Sequence, residues 1–168
     1  MTAVSSLQSK QPIWQTILML TLGLWLGGSL ILDWVVMPSL YVSGMMTQAG
    51  FTTAGYAIFW NFNRIELLAA AVVLTSVLTL NQTAFVTNNW RRGAVILASL
   101  LLGIALTNTY FLTPQMCATG VQLNLFESVR EIPTAMNQLH VAYWFVEAVK
   151  LIVGGTLLGW CYKQQAVN

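Results

Sequence analysis

The sequence predicts an all-α fold, a four-helix transmembrane bundle, and three observations predict it. Apolar residues make up 57% of the 168-residue chain and charged ones only 7%, where a soluble domain carries about 25% charged residues. The uncharged runs are long enough to cross a hydrocarbon core about 30 Å thick as helices. Tryptophans stand at the borders of those runs, where amphipathic rings settle at a membrane interface. A net charge of +2 is too small to build a nucleic-acid surface, and the length suits one integral membrane domain over residues 1–168.

The spans are expected at about 13–37, 63–83, 93–113 and 139–161. The first exceeds a signal peptide's apolar region and is followed by no small-residue cleavage site, so it is expected to remain as a helix. Trp14, Trp90 and Trp160 mark one set of helix ends, and Trp34, Trp60 and Trp144 the other. Lys10, Arg91, Arg92 and Lys163 gather on the first side, whereas the opposite connections hold only Arg130, flanked by Glu127 and Glu131. That asymmetry predicts cytoplasmic N and C termini, in a bacterial inner membrane or a thylakoid-type membrane. Cys117 and Cys161 then lie near opposite surfaces, beyond disulfide reach and too few for a metal site.

Both outer connections read as interfacial helices. Residues 38–60 carry no charge but interleave Tyr41, Met45, Met46, Phe51, Tyr56 and Phe59 with small residues, as in a helix lying over the bundle mouth. Between Pro114 and Pro133, Leu125 and Phe126 oppose Glu127, Arg130 and Glu131 at helical spacing. Gly23 with Gly27, Gly155 with Gly159, and Ser99 with Gly103 form small-xxx-small pairs that let helices approach closely. Packing within the chain is the default expectation for them. An offset of 76 residues superposes Gly27 on Gly103, Pro38 on Pro114, Gly44 on Gly120 and Asn61 on Asn137, the pattern of a 2+2 internal repeat.

Ionisable groups inside a membrane segment are costly and mark functional sites. Glu147 and Lys150 lie one turn apart in the fourth span, with His140 and Gly154 at seven-residue steps from Glu147. Asp33, Arg64, Glu66 and Asn108 fall near the outer ends of their spans. Together Asp33, Arg64, Glu66, Asn108, His140, Glu147 and Lys150 predict a polar pocket in the outer half of the bundle. The structural alternatives are a snorkelling clasp of Asp33, Arg64 and Glu66, and a self-neutralising Glu147–Lys150 pair. As the sole histidine, His140 is the one candidate metal ligand.

The run Leu24-Trp25-Leu26-Gly27-Gly28-Ser29, then Asp33 and Met37-Pro38-Ser39-Leu40-Tyr41, then residues 54–66 up to Arg64-Ile65-Glu66, resembles the four-helix membrane family catalogued as domain of unknown function 4149. The resemblance covers most of the chain. More distantly, the tryptophan-glycine pair and following proline are similar to copper-resistance D domains and the membrane protoporphyrinogen oxidase. Those relatives imply haem or metal handling through histidines that the first span lacks, which leaves His140 with Met37, Met116 or Met136 as the implied ligands.

Three functions are compatible with this reading. The first is an uncharacterised accessory, assembly or ligand-binding subunit of a larger membrane complex or homo-oligomer, in contact with membrane lipids and with no nucleic acid. The second is a small proton, ion or metal transporter, and the third a haem-binding oxidoreductase. The first is preferred, because no nucleophile–base pair, phosphate loop or HExxH-type spacing is present.

Overall fold

In the computed structural model, residues 2–45, 50–82, 88–125 and 134–167 are described, and all of their regular structure is helical. Four helices are long and apolar enough to cross a membrane: Ile13–Val42, Thr53–Asn81, Arg91–Gly120 and Met136–Gln164. The first span joins α1 (Thr2–Leu30) through a π-helical turn, π1 (Ile31–Val36), to α2 (Met37–Val42). The second is α3 (Phe51–Asn81). The third joins α4 (Asn88–Thr107) through π2 (Asn108–Leu112) to α5 (Thr113–Leu125), and the fourth is α6 (Thr134–Val167).

Each span packs on two neighbours, the first and third both lying against the second and fourth, so the first and third face each other across one diagonal and the second and fourth across the other. Gln15 Nε2 donates to the Cys161 carbonyl at 3.2 Å, and Asn81 Nδ2 reaches the Arg91 carbonyl at 3.4 Å. These contacts gather the start of the first span, the end of the fourth and the α3–α4 connection at one terminal end. The ends of α2 and α5 and the starts of α3 and α6 lie at the opposite, loop end.

The spans are longer than the sequence predicts, and the residues expected to form an outer interfacial helix belong to them. Met37–Val42 prolongs the first span, and the second begins at Phe51 rather than near Asn63. Between them the chain reverses through Gly44 (φ 72°) and Gly50 (φ 88°), left-handed conformations that favour glycine. Of the helix expected over 123–131, residues 123–125 end α5 and the rest lies outside the described residues.

The prolines explain the longer helices. A proline ring in a helix collides with the carbonyl four residues back, which for Pro38 is that of Trp34 and for Pro114 that of Tyr110. In both cases the preceding turn is widened. Met37 N–H bonds to the Leu32 carbonyl and Thr113 N–H to the Asn108 carbonyl, five residues back rather than four. The π turns make room for the rings and the helices pass through. The 76-residue offset lays Ile31–Val36 over 107–112, so the two widened turns fall in register.

The terminal half of the bundle is filled by Leu18, Leu22, Val73, Val77, Leu101 and Leu157, all fully buried. Within the chain, close helix contact is made by glycines other than those expected. A Cβ on Gly154 would meet Leu26 at 2.7 Å, and one on Gly93 would meet Trp160 at 2.7 Å. Gly23, Gly27, Gly103, Gly155 and Gly159 have nothing within 4 Å of that position. The small-xxx-small pairs therefore do not pack within the chain, because the buried stripe of each helix passes beside them.

Candidate functional site

Buried positions along each span recur every three or four residues, and in the middle of the bundle that apolar stripe turns polar. On α3 the buried residues are Asn63, Glu66, Ala70, Val73, Ser76, Val77 and Leu80; on α6 they are Tyr143, Glu147, Lys150, Val153, Gly154, Leu157 and Cys161. In the first span Leu18, Leu22 and Trp25 lead to Ser29 and Asp33. Helical periodicity thus aims Ser29, Asp33, Asn63, Glu66, Tyr143, Glu147 and Lys150 at the interior.

Lys150 contacts both Glu66 and Glu147 as ion pairs, and all three side chains are about 1% exposed. Glu66 Oε1 also accepts from Trp25 Nε1 at 2.9 Å and Ser29 Oγ at 3.1 Å. Three donors thus converge on one oxygen of Glu66. Lys150 and Glu66 sit near the midpoints of Met136–Gln164 and Thr53–Asn81. The expected position of Glu66 at the mouth of the second span is corrected accordingly: the helix starts twelve residues before Asn63, which moves Glu66 inward.

Closer to the loop end, Tyr143 Oη donates to Asp33 Oδ1 at 2.7 Å. Tyr143 also packs edge-on against Phe59 (5.8 Å between centroids), and Trp34 against Trp144 (5.7 Å). Between the second and third spans, Asn63 Nδ2 donates to Thr113 Oγ1 at 2.7 Å and lies 3.5 Å from the Asn108 carbonyl of π2. Several buried acceptors remain unmatched. Asp33 Oδ2, Asn108 Oδ1 and both oxygens of Glu147 lack a hydrogen-bond partner, although Glu147 Oε1 has its ionic contact with Lys150.

Of the residues expected in the pocket, Asp33, Glu66, Asn108, Glu147 and Lys150 are buried in the centre. Arg64 and His140 are not. Arg64 is exposed, with its guanidinium stacked 4.3 Å from the Trp60 ring, because it stands two residues from Glu66 and helical geometry turns it outward. His140 is exposed and its Nδ1 lies 2.9 Å from the Met136 carbonyl. The stripe reaches His140 only at its outermost turn. Trp25, Ser29, Asn63 and Thr113 belong to the centre without having been expected there; their spacing from Leu22, Glu66 and Asn108 is the signal that finds them.

The centre contains no histidine, since His140 is exposed. Met136 and His140 lie one turn apart on one helix, and among the described residues no three His, Cys, Asp or Glu side chains are arranged to hold a metal ion. Cys117 and Cys161 are free. What the geometry offers is charge: Asp33, Glu66 and Glu147 against Lys150, three formal negatives to one positive, a net −2 when all are ionised. Each uncompensated buried charge costs several kcal/mol, on the order of a protein's whole stability. The centre therefore favours the uptake of positive charge. No family model matches the chain, and neither a curated protein nor a solved structure matches it.

Proposed function

We propose that the protein is a ligand-binding membrane subunit whose buried centre takes up a small positive charge, and that it works as an accessory or assembly component of a larger membrane complex or homo-oligomer. The excess of carboxylates over ammonium groups in a buried site is the observation that carries this reading. The basic residues at the terminal end favour cytoplasmic N and C termini, so that the polar part of the bundle faces outward from a bacterial inner or thylakoid-type membrane. The four-helix family resembled by residues 24–66 is consistent with such a subunit.

A second reading, a small proton or ion transporter, is favoured by the mid-span position of Glu66 and Lys150, where a permeating charge must be compensated. One experiment tests both. The detergent-solubilised protein is melted across a pH series and with Na⁺, K⁺, Mg²⁺ and ammonium, and its reconstituted form is assayed for flux. Stabilisation by acid or by one of these cations, lost in Glu147→Gln, is expected for binding; flux in addition would make it a transporter. Melting that ignores both pH and cations would exclude the proposal.

A further inference from the structure

We propose that the positive charge taken up is a proton held on Glu147, which exchanges with the loop end of the bundle by way of Tyr143 and Asp33 while Glu66 and Lys150 remain a fixed ion pair. This rests on the cation-uptake reading and names its ligand.

The three carboxylates are supported unequally. Glu66 has the indole of Trp25, the hydroxyl of Ser29 and the ammonium of Lys150 on one oxygen. Asp33 has the Tyr143 hydroxyl. Glu147 has only a shared contact with Lys150, whose charge Glu66 already balances, and Oε2 of Glu147 meets no donor at all. The ionisable groups facing it are Asp33 from the first span, Glu66 from the second, and Tyr143 and Lys150 from its own helix. Among the described residues the third span presents only neutral Asn108, Thr109 and Thr113 to the centre. With two further carboxylates nearby and one ammonium to share, Glu147 is the group for which ionisation is least compensated.

The exit follows from the geometry. Tyr143 is one turn from Glu147 on the same buried stripe, and its hydroxyl bonds to Asp33 rather than to Glu147, so transfer requires the Glu147 carboxyl to turn towards the Tyr143 oxygen. As the Glu147 O–H bond breaks, its proton bonds to the Tyr143 oxygen. The hydroxyl proton of Tyr143 passes to Asp33, leaving Glu147 a carboxylate, Tyr143 neutral and Asp33 a carboxylic acid. No oxidant or further reactant enters. Asp33 Oδ2, unpartnered and 1% exposed with its residue, is the free acceptor beyond. In the other direction Leu22, Val73, Leu101 and Leu157 close the bundle, so exchange runs to the loop end.

Infrared difference spectroscopy of the intact protein in lipid tests this directly. A protonated-carboxyl stretch at neutral pH is expected in the wild type, where it moves on transfer to D₂O, and in Asp33→Asn, where it moves more slowly, and its loss is expected in Glu147→Gln. Tyr143→Phe keeps the band but slows its deuterium shift by a factor on the order of ten, the effect of one well-placed hydrogen bond. A band that survives in Glu147→Gln overturns the assignment. If Glu147→Gln does not fold, exchange as fast in Tyr143→Phe as in the wild type overturns it instead. No band at all, with melting raised by Na⁺ or K⁺, replaces the proton by a metal cation and leaves the broader reading standing; no band and no cation dependence removes both.

Discussion

Lys150 on the fourth span crosses the bundle diagonal to Glu66 on the second, and the same ammonium holds Glu147 one turn back on its own helix. A single side chain thus ties two opposite helices together through a region where all three charged groups are buried.

Replacing Lys150 with methionine keeps an unbranched apolar side chain, one atom shorter, but leaves Glu66 and Glu147 facing each other without a counter-ion. A loss on the order of 3–5 kcal/mol is expected, as when one partner of a buried pair is removed. Combining Lys150→Met with Glu66→Gln is expected to recover much of it. Unfolding of the two variants in mild detergent measures the difference; a double variant no more stable than the single one would mean that the ion pair is not what binds the helices.

Tyr143→Phe removes the only hydrogen-bond donor on Asp33 among the described residues and leaves a buried carboxylate oxygen bare. Its expected cost is about 1–3 kcal/mol. Arg64→Ala, by contrast, deletes an exposed stack on Trp60 worth about 0.5–1 kcal/mol. Their melting temperatures in the same detergent are expected to fall in that order.

Neighbouring glycines on α6 are expected to respond oppositely to alanine. Gly154→Ala drives a methyl into Leu26 and is expected to cost about 1–3 kcal/mol through overpacking. Gly155→Ala meets nothing and is expected to be neutral or slightly stabilising, since alanine is the better helix former. Equal losses from both would show that the Gly155 face is also packed, against another molecule.

Asn63→Leu breaks the bond to Thr113 and is expected to destabilise by about 1–3 kcal/mol, because Thr113 and the π2 carbonyl would be left in an apolar setting. Asn63→Leu combined with Thr113→Val is expected to be milder than the single change, which unfolding of the two variants would reveal.

The four spans were legible because each is a long run without compensating charge, and Glu147 with Lys150 was legible because ionisable residues stand out in such a run. Asp33 and Glu66 were found as polar residues but placed too near the surface. That displacement has one cause: Pro38 and the polar Asn61 and Asn63 read as helix boundaries, while the widened turns that carry the chain past its prolines leave no local mark in composition. Arg64 and Glu66 were equivalent as charges near one helix end, and only the rotation between them, set by the burial of Ala70 and Val73 one and two turns on, separates lipid-facing from buried. Trp25 was hidden differently. Its ring is mostly apolar, so a single indole N–H directed at Glu66 could not be distinguished from core packing.

The widened turns also govern the heading of the chain beyond them. Each α-helical residue advances about 100° around the axis, so the extra residue accommodated in Ile31–Val36 decides which way Met37–Val42 faces, and that in Asn108–Leu112 does the same for Thr113–Leu125. Deleting one residue from either turn would swing its loop-end segment through nearly a right angle while the terminal half kept its packing. Thr113 would then leave Asn63, or the tip of the first hairpin would point elsewhere. Two single residues, one in each half of the molecule, thus act as compass settings for the loop end of the bundle.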